Sequence, residues 1–356
     1  MIAFILRKSD FKTESQHAVI DYDVIIASTG AESGSIQVLG KIGTEHVGGW
    51  LVLGKNVWLI SKIEPGEKES KLTLAPPLEA FERPIHLGES AASAGAFLAA
   101  ELTANFKSIS DTAYALPYLE IINSAAGIGY IAPQTNENGF YNLAAFMRLL
   151  EAEFGLEIKF RVETKKLNIE LGVRPATEKT VFFGTAEAQL LSQTFTNQLT
   201  AKVTVIKDGV STDFYLSANG EISETPPAER AAGGWEVVTA KGKDETAEDA
   251  ARSVFYKNIA SHKIEFVSTK KFELYQKIRT NINGLPLQTN ICFVGKNKKD
   301  KRYKYKCGEL ATTLTEKLGN LKAVTGAQII DAQIAAAIRA EREREYPVGG
   351  KPWISG

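Results

Sequence analysis

Over the first 75 positions, apolar and polar residues alternate in short runs. Ile2–Leu6, Ala18–Ala27, Ser35–Ile42, Trp50–Leu53, Val57–Ile63 and Lys71–Ala75 are rich in β-branched and aromatic residues, and turns built on Gly, Asn or Glu separate them. Gly30, Gly34, Gly43, Gly48 and Gly49 punctuate the series. Short, evenly spaced strands with such breaks predict a closed or nearly closed β-barrel over residues 1–79.

The pattern changes after Pro76-Pro77. Ser90–Lys107 is alanine-rich, with Phe97, Leu98, Leu102 and Phe106 near helical spacing and Ser90 placed as an N-cap. Asn142–Phe154 is a stronger helix. Leu143, Phe146, Met147, Leu150 and Phe154 form one apolar stripe, and Gly155 follows where a left-handed C′ residue belongs. The period then falls to two. Ile158, Phe160 and Val162 share one face of Leu156–Glu163, and Leu167, Ile169 and Leu171 answer from a second strand. Residues 80–180 predict an inserted α+β domain.

Thr185–Gln198 is expected as a helix. Lys202–Lys207 and Val210–Leu216 form a hairpin about Asp208-Gly209, both of which tolerate the positive φ of a type I′ turn. Asn219-Gly220 marks another turn, and Glu224–Gly234 is the most loop-like stretch of the chain. Thr246-x-x-Asp249 resembles a capping box for a helix over Ala247–Ala260, striped by Ala247, Ala251, Val254, Phe255 and Ile259. Residues 181–261 thus read as a helix–hairpin–helix region that completes or links two barrels.

The second β-barrel is expected over 262–322. His262–Leu274 and Leu287–Val294 flank Arg279–Pro286, and the basic turn Gly295–Arg302 precedes the closing block Tyr303–Leu318. Ile264 and Phe266 alternate with charged residues and are placed inward, with Phe293 on a neighbouring strand. Residues 323–356 predict a C-terminal helix and an extended tail. The helix, Gly326–Glu345, opens at Thr325-x-x-Gln328 and carries Ile330, Ile334 and Ile338 as a narrow seam. The Gly-Gly and prolines of Tyr346–Gly356 exclude helix beyond it. The fold class is therefore α+β and β-rich.

Composition narrows the function. A chain of 356 residues suggests roughly two to four domains, and 44% hydrophobic with 24% charged residues is the make-up of a folded soluble protein. The 42 basic and 42 acidic residues balance, which argues against a dedicated nucleic-acid binder. The run Lys296–Arg302 reads as a solvated hairpin tip. The two cysteines, Cys292 and Cys307, fall on strands of one hairpin. A reducing cytoplasm keeps such thiols free, and the sequence leaves their pairing open. No apolar run is long enough for a transmembrane helix, and Met1–Lys8 lacks the apolar core of a signal peptide.

Candidate chemistry is sparse. His17, His46, His86 and His262 are scattered and read as surface or locally bonded residues. Neither a metalloprotease, a nucleophile-elbow nor a P-loop motif occurs. Gly127-Ile128-Gly129 lacks the third glycine of a dinucleotide fingerprint and reads as a turn. Of the S-x-x-K tetrads Ser9–Lys12 and Ser268–Lys271, the second lies in an expected strand, where Lys does not stand one turn above Ser. The acidic pairs Glu64/Glu67 and Glu151/Glu153 read as solvated faces rather than a glycosidase dyad. Trp50 and Trp58 are sugar-stacking candidates, but core packing of one and partial exposure of the other is the favoured account. No catalytic, cofactor-binding or metal residue is assigned, and the chain is not expected to be an enzyme.

The order barrel, α+β insert, helix, barrel, closing helix resembles the hub proteins of contractile and long non-contractile phage tails and of phage-derived injection machines. The helix-plus-hairpin Asn142–Gly172, the stretch Val181–Val205 and the closing YKYKCGELATTLTEKL of Tyr303–Leu318 carry the resemblance, which spans about Met1 to Leu318. It implies two tail-tube-like barrels per subunit. Three copies then set six barrels in a ring, matching a six-fold tail tube to a three-fold spike. The implied partners are the tail tube protein, distal tail or baseplate wedge proteins, a central spike or tail fibre protein and the tape measure protein. DNA would pass without specific binding, and this chain would not insert in a membrane. The implied location is the virion tail, assembled in the host cytoplasm, with no cofactor. Some such proteins carry a C-terminal hydrolase or receptor-binding extension. This chain stops soon after its expected second barrel, so lytic or receptor-binding activity is expected on a partner. A carbohydrate-binding or cell-wall-acting tail protein is the alternative, and a small-molecule enzyme a third.

Overall fold

The computed structural model describes residues 1–308 except 28–33, 89, 112–113, 134, 136–138, 164, 175–176, 199, 218–220, 229–232, 241–245, 257–258 and 283–284. The expected C-terminal helix and tail, the end of the closing block from Glu309 on, and the Asn219-Gly220 turn lie outside the described residues.

The first 75 residues fold as alternation dictates. β1 (Ile2–Leu6), β2 (Thr13–Ala27), β3 (Gly34–Leu39), β4 (Trp50–Leu53), β5 (Asn56–Glu64) and β6 (Glu69–Ala75) pair in the order β1-β4-β5-β6-β3-β2. β1 also pairs with β2, with Ile2 opposite Ala18 and Ile5 opposite Ser15, so the six strands close into a barrel. One side chain in two points inward. Ile36 and Val38 of β3 and Leu72 and Leu74 of β6 fill the interior with Ile5, Ile60 and Trp58, while Lys71, which precedes Leu72, is exposed.

The next region contains β7 (Pro84–His86), β8 (Ser90–Ala91), α1 (Ala94–Leu102), β9 (Leu119–Asn123), β10 (Tyr130–Ile131), β11 (Phe140–Asn142), α2 (Leu143–Glu153), β12 (Leu156–Glu163) and β13 (Lys166–Val173). The cap of α2 is the expected one. The Asn142 side chain accepts from the Ala145 amide at 2.9 Å, and Gly155 stops the helix at φ +75°. The hairpin register also follows the sequence, with Ile158 opposite Leu171, Phe160 opposite Ile169 and Val162 opposite Leu167. β13 pairs on its other side with β9 in parallel. The first helix is shorter than its alanine content implies. Ser93, not Ser90, caps it, because Ser90 is drawn into β8 and pairs with Ile131. A turn of π-helix, Thr103–Lys107, ends it.

The third region departs from expectation. Thr185–Gln198 is not a helix. Ala188–Gln198 is β15, paired antiparallel with β20 (Ile259–Ser268) from Ala188 opposite Ser268 to Gln198 opposite Ile259. The Ala-Glu-Ala-Gln-Leu-Leu run has helical propensity, but a partner strand along its whole length overrides it. β15 and β20 bracket a separate unit. In it β16 (Thr200–Lys207), β17 (Val210–Leu216), β18 (Ile222–Ser223) and β19 (Gly234–Thr239) form a sheet of order β18-β17-β16-β19, covered on one face by α3 (Ala247–Tyr256). Its β16–β17 turn has Asp208 at φ +51° and Gly209 at +79°, as a type I′ turn demands. The α3 capping box is formed too: Thr246 Oγ1 accepts from the Asp249 amide at 3.0 Å. The helix ends at Tyr256, before the expected Ala260, because the chain enters β20 at Ile259.

The second sheet is built from β14 (Glu178–Thr180), β15, β20, β21 (Lys277–Ile282), β22 (Leu285–Asn297) and β23 (Tyr303–Cys307). These run β15-β20-β23-β22-β21-β14. Its strands start well before residue 262. Ile264 and Phe266 lie in its core with Ile278, Ile291, Tyr305 and Cys307. Phe293 is buried but not with them: it packs with Tyr275 and Cys292 on the other face, past a bulge between Ile291 and Phe293. One strand fuses the two β regions. Asp23–Ala27 of β2 pairs with Asn297–Phe293 of β22, so the barrel and the second sheet are one continuous hydrogen-bonded surface.

Candidate functional site at the domain junctions

The sequence-derived candidates do not converge. His17 hydrogen-bonds the Leu39 carbonyl at 3.0 Å, His46 meets Glu14 at 2.8 Å, and the His86 ring lies against Phe140 with centroids 3.8 Å apart. The His262 side chain lies outside the described residues. Ser268 is buried in β20, where its hydroxyl donates to the Glu187 carbonyl at 2.8 Å, while neighbouring Lys270 pairs with Glu187. Lys12 of the first tetrad pairs with Asp10. Glu64 pairs with Lys62 on the surface. Ile128 of the Gly-Ile-Gly turn gives its carbonyl to the Ala94 amide at the start of α1. Among the described residues no group of three or more His, Cys, Asp or Glu is placed to hold a metal, and no helix is long and apolar enough to cross a membrane.

Cys292 and Cys307 are unbridged thiols, and both are buried. Cys307 stands opposite Ile291 and packs in the second core, whereas Cys292 packs on the opposite face and its thiol meets the Lys306 carbonyl at 3.1 Å. Burial pushes the Cys307 thiol well up, so it is a poor nucleophile.

What the tertiary structure does assemble is three junctions. At the first, the barrel meets the α+β insert. The indole N–H of Trp50 donates to the Tyr118 hydroxyl at 2.8 Å, which donates to the Lys8 carbonyl at 2.5 Å, and Phe11 stacks on Tyr118 at 4.6 Å. Trp50, Leu6 and Val52 share a core with Leu98, Phe146 and Leu156 of the insert. The second junction is the β2–β22 seam, where the Trp58 indole donates to the Ile25 carbonyl at 2.6 Å. Both tryptophans are buried, at 0% and 3% exposure, so neither takes the partial exposure expected of one of them nor offers a ring to a sugar.

The third junction, between insert and second sheet, is polar. Tyr275 sits at φ +65°, a conformation rarely held by a bulky residue, and is fully buried. Its hydroxyl touches the Ile158 carbonyl at 2.8 Å, the Ile158 amide at 3.3 Å and the Glu151 carboxyl. A phenol has one proton. The hydroxyl faces two acceptors, the Ile158 carbonyl and the Glu151 carboxyl, and its oxygen accepts from the Ile158 amide. Burial pushes the Glu151 carboxyl well above the usual carboxylate range, against the hydrogen bond from Tyr275, which favours the ionised form. Arg174 donates to the Glu151 backbone carbonyl, and Lys159 pairs with Glu157 beside the Tyr275 ring. Glu151 is therefore no solvated surface residue. The signal was present in the sequence: Leu143, Met147 and Glu151 stand at i, i+4 and i+8, inside the buried stripe of α2.

Chemically these junctions position domains; they bring no nucleophile to a base. No family model and no curated protein matches the sequence. Among solved structures, a chain of the p2 virion baseplate in its activated conformation matches 87% of this chain and 99% of its own length, at 10% identity and a TM-score of 0.51. Prophage tail protein gp18 from Listeria monocytogenes EGD-e matches with 12% identity, 91% and 99% coverage and a TM-score of 0.48. The 43 kDa tail protein of prophage MuSo2 from Shewanella oneidensis matches with 10% identity, 89% and 99% coverage and a TM-score of 0.48. The p2 match spans most of this chain, which has the fold of a phage baseplate protein.

Proposed function

We propose that this chain is a structural hub of a phage or phage-like tail, located in the baseplate or tail tip, where it joins the tail tube to a central spike or fibre. The observation that carries the reading is the end-to-end fold match to a p2 virion baseplate chain. The architecture supports it: a closed barrel and a second six-stranded sheet are locked by a shared seam and two buried junctions, as a load-transmitting adaptor requires. Two such units per subunit suit a trimer, which presents six to a six-fold tube. Tube, wedge or distal-tail and tape-measure proteins are the proposed partners, with DNA passing through without specific binding. The scattered candidate residues support a non-enzymatic role.

The test is an image of the assembled particle with this subunit labelled. Three copies in one ring at the tube–spike boundary are expected, and a strictly six-fold or single-copy arrangement overturns the reading. In dilute solution the chain can remain a monomer, because the tube templates ring closure.

A further inference from the structure

The β16–β19 sheet has two faces, and α3 covers one, over Val203, Val205, Phe214 and Leu216. The other carries a cross-strand row, Trp235–Lys202–Tyr215, followed by the row Val237–Thr204–Asp213. Trp235 is 63% exposed and Val237 58%. An exposed tryptophan normally swings freely, but this one is pinned. Its indole N–H donates to Thr204 Oγ1 at 2.8 Å, one row along, which ties the ring down at its polar end. Beneath it the Lys202 ammonium stands 4.2 Å from the ring centroid. Thr204 in turn donates to Asp213 at 2.5 Å, and Asp213 pairs with Lys202 at 2.7 Å and accepts from the Tyr215 hydroxyl at 3.3 Å. The loop of contacts closes on itself and engages one indole face with the Lys202 ammonium, while the side chain as a whole stays largely exposed.

We propose that this face is a saccharide-binding platform, with the outer face of Trp235 stacking on the C–H face of a neutral sugar ring and Tyr215 and Asp213 meeting its hydroxyls. The physical case lies in what each group permits. A flat, preorganised aromatic surface gains contact area without losing rotamer freedom on binding. The Lys202 charge under the ring opposes a cationic guest such as a quaternary ammonium. Lys202 and Asp213 neutralise each other, so the face has no net charge to draw a nucleic acid or a polyphosphate. A neutral polyol with an apolar ring face is the chemistry that remains. Val237 lengthens the apolar strip beside Trp235. The site is independent of the hub assignment.

The test uses the full chain and four neutral glycans as probes: chitohexaose, cellohexaose, maltohexaose and laminarihexaose. Binding is followed by calorimetry and, in a Trp353→Phe background, by tryptophan emission, to which Trp235 contributes as an exposed indole while Trp50 and Trp58 are buried. At least one glycan binds saturably, Trp235→Ala weakens it about tenfold or more, and Trp235→Phe retains part of the affinity. Thr204→Val, which unpins the indole without removing it, weakens binding by a smaller factor. Thermal melts of the variants stay close to wild type, because the α3 core lies on the opposite face. No saturable binding of any of the four in the millimolar range overturns the proposal, as does full retention by Trp235→Ala. If glycans fail to bind and Trp235→Ala instead blocks incorporation into tails, the face is a protein contact and the saccharide assignment falls. Particles that assemble normally with Trp235→Ala but lose glycan binding support it, whatever the fate of the hub reading.

Discussion

The first barrel and the second sheet each use six strands, yet they solve the edge problem differently. In the barrel, β1 is bonded to both β4 and β2, so every strand has two neighbours. In the second sheet the described path ends at β15 and at the three-residue β14. β15 is eleven residues long, and Gln189, Leu191, Ser192, Gln193 and Thr194 on it are exposed. A closed ring is self-sufficient. An open sheet must be covered or joined, and this one is joined to β2 at the seam and held by Tyr275 at its flank. Closure gives a stable module, whereas openness leaves backbone edges for assembly. Among the described residues β15 has β20 as its partner strand, so its other backbone edge is a place where the proposed assembly can add a strand.

The largest test of this contrast is the core of the open sheet. Phe266 is fully buried among Phe183, Phe272 and Tyr305. Phe266→Ala is expected to destabilise by about 3–5 kcal/mol in denaturant titration and to prevent incorporation into tails, while the insert stays folded. A loss under about 1 kcal/mol, at the floor of what core truncations cost, would mean that the second sheet is not an independent core. Next comes its polar anchor. Tyr275→Phe strips a partner from Ile158 and Glu151 and should cost about 1–3 kcal/mol. Amide exchange should then rise in β22 and leave β5 unchanged, and an equal rise in both strands would erase the distinction.

A smaller effect comes from pH. Burial raises Glu151 in the folded chain well above its ordinary value of 4.5, to which it returns on unfolding. The folded state therefore binds more protons. The associated stability is complete below the unfolded value and is lost as pH rises through the raised folded one. The unfolding free energy of the wild type should fall relative to Glu151→Gln as pH is raised from about 4.5 upward. Parallel curves for the two proteins would mean that Glu151 is ionised at the junction. The smallest expected change is local: β15 amides should exchange faster than β5 amides in the isolated chain and slow on assembly. Equal protection in the free subunit would show the second sheet to be as closed as the first.

Much of this was legible because it is local. The Asn142 cap, the Gly155 stop, the β12–β13 register, the Asp208-Gly209 turn and the Thr246 capping box each depend on residues a few positions apart, and sequence spacing fixes which of them meet. The inward Ile264 and Phe266 follow from a period of two. Trp235 was not singled out, because it borders the loop-like Glu224–Gly234 stretch and its pinning partners, Thr204 and Lys202, lie on a strand about thirty residues earlier.

By itself, then, the sequence determined a β-rich α+β chain, the barrel strands and the caps and turns that bound them, since periodicity and turn chemistry act within a few residues. Only the tertiary structure decided that Ala188–Gln198 is a strand, that β2 and β22 fuse two sheets, that Trp50 and Trp58 are both buried, and that Glu151 is locked against Tyr275. Each of those outcomes depends on a partner tens to hundreds of residues away. Pairing a whole strand or burying a side chain outweighs the few tenths of a kcal/mol per residue by which local propensity favours one conformation.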